Sequence, residues 1–163
     1  MDFPAHTMPS LDSAAKLVRM FEGFRAEPYL DSAGIPTIGY GTTHYPDGTA
    51  VTMKTDPVSE AEATAFLEHD LTETALMLWK FITKQPTLNQ WAAMLSLAYN
   101  IGANAIAHST LLRYFNDGNI AGAAGQFLAW DKAHVDGQLV IVQGLLNRRN
   151  AERALFLTEG DGM

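Results

Sequence analysis

Apolar residues at Leu11, Ala14, Ala15, Val18 and Phe21 recur at the spacing of one helix face, which predicts an amphipathic helix over residues 11–22. Ser10 is placed to cap it and Gly23 to stop it. The helical period is absent from Ala26 to Thr55. Turn signals cluster there at Glu27-Pro28, at Asp31-Ser32-Ala33-Gly34 and at Pro46-Asp47-Gly48. Between them the runs Thr37-Ile38-Gly39-Tyr40 and Ala50-Val51-Thr52 predict a small antiparallel sheet of two or three short strands. The helical stripe resumes at Ala63, Phe66, Leu67, Leu71, Leu78, Phe81 and Ile82, behind a Ser59 cap. It predicts a helix of more than about twenty residues ending near Pro86, long enough to bridge two lobes.

Thr87 to Gln90 opens a further helix. Trp91, Ala92, Met94, Leu95, Leu97, Ala98, Tyr99 and Ile101 leave it little polar face, so it belongs to a core, and Gly102 ends it. Shorter helices are expected at 109–115, 120–130 and 142–157, with turns at Gly118 and Gly137 and a frayed tail from Glu159. Trp79, Trp91 and Trp130 stand in apolar stripes and are expected in the core. The fold class is α+β, mostly α. A single domain, 1–163, holds a β lobe at about 24–58, a connecting helix at about 59–85 and a helical lobe at about 87–158. Helix 11–22 packs with the helical lobe.

Charge narrows the partners. The formal net charge is -7, a poor match for sequence-independent nucleic-acid binding. Residues 56–75 carry Asp56, Glu60, Glu62, Glu68, Asp70 and Glu73 with no Lys or Arg, whereas Arg148, Arg149 and Arg153 make a basic stretch. The chain has no Cys, which excludes a disulfide framework and thiolate metal sites. Met1 to Ser10 has no apolar run and reads as neither a signal peptide nor a membrane anchor.

The densest chemistry lies in residues 21–41. Glu22 sits at the end of the first predicted helix, against the negative end of its dipole. Asp31 follows after eight residues, on a polar turn, and Thr37 after five more. Two carboxylates in different environments suit glycoside hydrolysis. One protonates the leaving oxygen and the other acts across the anomeric carbon. Each residue also has a plainer reading. Glu22 is then a solvated helix end, Asp31 a turn former and Thr37 a β-strand choice.

The motifs Phe21-Glu22-Gly23, Tyr29-Leu30-Asp31 and Pro36-Thr37-Ile38-Gly39-Tyr40-Gly41 resemble those of the phage-type lysozymes, the endolysin family. Leu88-Asn89-Gln90, Tyr99-Asn100-Ile101-Gly102, Ser109 to Arg113 and Gly144 to Arg153 extend the resemblance over nearly the whole chain after Ser10. It implies a lysozyme-like fold and a muramidase, which cuts peptidoglycan between N-acetylmuramic acid and N-acetylglucosamine and lyses the host cell. By that resemblance Glu22 is the general acid, and Asp31 and Thr37 position and activate a water, giving inversion. The alternatives are a lytic transglycosylase and a catalytically inactive peptidoglycan-binding module.

The resemblance also implies that Arg148 pairs with Glu22 across the lobes; a surface pair with Glu152, four residues on, is the competing reading. Tyr99, Asn100 and Thr110 would form the far wall of the cleft, although Tyr99 also fits a core position. One departure is Thr42-Thr43 before His44, where relatives commonly have His directly after the Gly-Tyr-Gly segment. No metal site and no cofactor is expected. The implied protein is a monomer that accumulates in the host cytoplasm, needs a holin for release and then acts in the periplasm on the cell wall.

Overall fold

The computed structural model describes residues 6–159, so the expectations for the first five residues and for the tail beyond Glu159 lie outside the described residues. Helix α1 covers Asp12–Glu22. It starts one residue later than expected, with Leu11 at the cap position, while Ser10 Oγ still accepts from the Asp12 N–H at 3.2 Å. Gly23 ends it at φ 69°, a left-handed turn that favours glycine.

Strands β1 (Arg25–Leu30) and β2 (Pro36–Gly39) form an antiparallel hairpin, with Tyr29 opposite Thr37. Glu27-Pro28, expected as a turn, lies inside β1, where the register shifts between Arg25 and Tyr29 and accommodates the proline. The run at Ala50 is reduced to one bridge with His44, and Val51 is buried beside it.

Helix α2 covers Glu60–Trp79 and opens with a complete capping box, Ser59 with Glu62. It stops well before Pro86. Asn116 binds the backbone beyond it, accepting from the Thr83 N–H and donating to the Phe81 carbonyl. That long-range cap diverts the chain although the apolar stripe continues. Helix α3 (Leu88–Ile101) buries every residue from Trp91 to Ala98, as its all-round apolarity predicts.

Helices α4 (Ala103–Ala107), α5 (Thr110–Asn116) and α6 (Ile120–Gln126) follow, α6 running into a 3-10 turn at Phe127–Trp130. Two elements were not expected. One is α4. The other is an exposed hairpin of β3 (Lys132–Val135) and β4 (Gln138–Ile141), turning at Asp136 and Gly137, both with positive φ. Helix α7 (Gln143–Leu157) closes the lobe.

There are two cores. Val18, Ile38, Tyr40, Val51, Val58, Ala63 and Leu67 fill the β lobe. Trp91, Met94, Leu95, Phe115, Phe127 and Phe156 centre the helical lobe. Helices α1 and α2 each serve both: Ala14 and Ala15 face the helical core and Val18 the β core, and Leu67 and Leu71 divide in the same way. Two continuous helices therefore fix the lobes against each other. At their β-lobe junction Gly39 lies against α2, where a Cβ would come within 2.9 Å of the Ala63 Cβ.

Candidate active site

A cleft of about 560 Å³ opens between the lobes, lined among others by Glu22, Asp31, Thr37, His44, Tyr99 and Asn100. Glu22 reaches it from the last residue of α1, with its side chain 20% exposed. Its Oε1 accepts from Arg148 Nη1 at 2.8 Å. Its Oε2 faces Gly41, whose Cβ, if it had one, would sit 3.1 Å away. The Gly-Tyr-Gly segment thus gives the carboxylate room.

Arg148 is buried, and it contacts both carboxylates that the sequence offered it. Besides Glu22 it reaches Glu152 Oε2 through Nε at 3.3 Å and the Ser96 carbonyl through Nη2 at 3.1 Å. The expected surface location of that pair fails: the side chains of Arg148, Arg149 and Glu152 are all buried where α7 packs on α3.

Asp31 sits at the tip of the first hairpin. Its Oδ1 accepts from the Ala33 N–H at 2.8 Å and the Ile35 N–H at 2.9 Å, so the turn that it forms also aims it. Thr37 is buried on β2, and its hydroxyl donates to the Ile35 carbonyl at 2.8 Å. With its proton committed there, Thr37 Oγ1 offers the cleft lone pairs and acts as an acceptor.

Tyr99 lies in the cleft wall and between the two cores, and its hydroxyl donates to the Tyr40 carbonyl at 3.0 Å. Burial pushes its phenol well above the ordinary range, with the Asp70 and Glu22 charges adding to the effect. It therefore stays neutral. Asn100 also lines the cleft, with Oδ1 held by Arg149 Nη2 at 2.9 Å. Thr110 is placed elsewhere, in a separate cavity of about 310 Å³ with Phe81, His108 and Arg113. His44 is exposed at the cleft rim, 3.2 Å from the Thr43 hydroxyl.

Sequence reasoning missed the wall supplied by α2. Asp70, Glu73, Thr74 and Met77 line the cleft, and Tyr29 joins them from β1. The signal was present as an i, i+3, i+4, i+7 set on one helix, but it mixes charged and apolar residues and has no hydrophobic period. Burial pushes the Asp70 carboxyl above its usual range, while His69 and His44 draw it back. Among the described residues, His69, Asp70 and Glu73 have metal-ligating atoms close enough to share an ion, within 4.8 Å of one another. His69 and Asp70 are half-buried and Glu73 is exposed, with His69 Nε2 3.3 Å from Glu73 Oε1.

Placed together in one cleft, these side chains offer a carboxyl group with an arginine behind it, a second carboxylate and a hydroxyl acceptor. That is an arrangement for acid–base chemistry on a bond lying in the cleft.

The phage lysozyme family model matches residues 19–152. An endolysin of Acyrthosiphon pisum secondary endosymbiont phage 1 is 39% identical over 140 residues, covering 86% of this chain and 92% of that relative. Among solved structures, an endolysin from Escherichia coli O157:H7 phage FAHEc1 matches with a TM-score of 0.86 and 37% identity, covering 95% of this chain and 96% of the other. The muramidase domain of SpmX from Asticaccaulis excentricus matches with a TM-score of 0.79 and 30% identity, covering 95% and 100%.

Proposed function

Because this chain belongs to the phage lysozyme family, and is thereby a glycoside hydrolase, we propose that it cuts bacterial peptidoglycan between N-acetylmuramic acid and N-acetylglucosamine. The observation that carries the reading is that Glu22, backed by Arg148, lines one cleft together with Asp31 and Thr37.

Glu22 delivers its proton to the leaving glycosidic oxygen. The carboxylate that it becomes is stabilised by the 2.8 Å contact with Arg148 Nη1, so charge develops where a fixed cation waits. Asp31 keeps Oδ1 on two backbone N–H groups and turns its other oxygen to a water. The Thr37 hydroxyl, already donating to Ile35, accepts the second hydrogen of that water. The water attacks the anomeric carbon from the face opposite the leaving group, and the configuration inverts.

The protein acts as a monomer. It waits in the host cytoplasm until a holin opens the membrane and then reaches the wall from the periplasm. Among the described residues no helix is long and apolar enough to cross a membrane.

Clearing of purified cell walls by wild type and by Glu22→Gln tests the reading. The variant, nearly isosteric, is expected to fold normally and to lose at least about 10²–10⁴-fold in rate, the range of general acid catalysis. Activity within a few-fold of wild type would sink it.

A further inference from the structure

Glu152 is fully buried and lines no part of the cleft. Its Oε2 accepts from the Ser96 hydroxyl at 2.6 Å and from Arg148 Nε at 3.3 Å. Its Oε1 stands 2.7 Å from Arg149 Nε, with the N–H directed off the line between them, so this contact is ionic. Arg149 is fully buried as well, and Nη2 holds Asn100. A carboxylate in such a place is strongly unfavourable unless it is paired. Burial pushes Glu152 above the usual carboxylate range and Arg149 below its own, and each holds the other's charge in place.

The cluster has a charge balance. Glu22 and Glu152 face Arg148 and Arg149, two of each sign. Arg148 is the shared member, gripped by Glu152 on one edge of its guanidinium and by Glu22 on another. Without Glu152 the two arginines would place an uncompensated positive charge behind Glu22. That would favour its carboxylate over the protonated form an acid must deliver.

We propose that Glu152 is a positioning residue of the reaction: it divides Arg148 between two carboxylates and so sets how readily Glu22 carries the proton that it donates. This rests on the reading of Glu22 as general acid. The other groups facing the cluster are Ser96, Tyr99 and Asn100 of α3, Tyr29 of β1 and the Trp130 carbonyl of the 3-10 turn. Both phenols are raised by burial and remain neutral. Asp31 and Asp70, further along the cleft, are a constant background in the variants below.

The readout is the alkaline limb of kcat/KM against pH on soluble peptidoglycan strands, where activity falls as the acid loses its proton. Glu152→Gln leaves the cluster one unit more positive, so the limb moves to lower pH by on the order of one unit. Glu152→Asp keeps the charge and leaves the limb within a few tenths of wild type. The double variant Arg149→Gln/Glu152→Gln removes one charge of each sign and brings the limb back most of the way. If Glu152→Gln alone does not fold, Arg149→Gln decides the matter with the opposite sign, moving the limb to higher pH.

A folded Glu152→Gln or Arg149→Gln with an unmoved limb overturns the proposal. So does a Glu152→Asp limb displaced like that of Glu152→Gln, or a double variant as displaced as the single one. Failure here stays separate from failure of the hydrolase reading: an active Glu22→Gln sinks that reading, whereas an inactive Glu22→Gln beside an unmoved limb sinks only this one.

Discussion

Asp31 and Glu22 face the same cleft but are held by different parts of the chain. Asp31 is fixed by its own turn, through N–H groups two and four residues on. Glu22 is fixed by Arg148, 126 residues away, and through it by Ser96 and Glu152. The first arrangement is local, exposed and made of neutral donors around one charge. The second is buried and made of opposed charges between α1, α3 and α7. A local turn survives the loss of a charge; a charge pair that loses a fully buried member leaves the other uncompensated. The two halves of the proposed catalytic set should therefore respond differently to mutation.

The largest effect is expected from Arg148→Met. It leaves Glu152 with Arg149 as its one cationic partner and leaves Glu22 unsupported, and should lower stability by about 3–5 kcal/mol as well as activity. Chemical denaturation with a matched wall-clearing assay checks both. Loss of activity with unchanged stability would make the network dispensable to the fold and erase the contrast.

Asp31→Asn is expected to separate the two quantities. The Asn carbonyl can still accept from Ala33 and Ile35, so the turn persists, with melting temperature changed by less than about 2 °C. Turnover should fall by about 10²-fold or more, because an amide cannot take a proton from water. A variant that melts much earlier would show that the charge itself builds the turn.

The smallest effect is expected on the α2 wall. Burial raises the Asp70 carboxyl above its ordinary 3.8, so ionising it opposes folding at neutral pH. Asp70→Asn should stabilise the protein by under about 1 kcal/mol at pH 7, and the gain should vanish below pH 3.8, where both forms are neutral. Thermal melts across that range decide it. A gain that grows on acidification reverses the sign.

The same divide explains what the sequence made legible. The capping boxes at Ser59 and Thr87, the Gly23 stop and the Asp31 turn are encoded within four residues, and each is found where the pattern places it. Glu22 and Thr37 were legible as residue types at a spacing, and the resemblance added Arg148. What escaped depends on distant partners. The end of α2 is set by Asn116, 33 and 35 residues from the groups it binds. The burial of Arg149 and Glu152 follows from how α7 packs on α3, and no run of charged residues announces that it lies inside. The hairpin at Asp136-Gly137 carried a local turn signal, but its strands are short and exposed, so no alternating buried face marked them. Thr110 was assigned to the cleft wall through the resemblance, and it opens α5 in a separate cavity.

In the proposed reaction, water held by Asp31 and Thr37 attacks opposite the proton that Glu22 delivers. Hydrolysis of peptidoglycan in ¹⁸O-labelled water, with the product's mass and anomeric form read immediately by mass spectrometry and NMR, tests it most directly. One labelled oxygen is expected at the anomeric carbon of N-acetylmuramic acid, with the α configuration formed first. An unlabelled anhydro sugar, or a labelled product formed first as the β anomer, would contradict it.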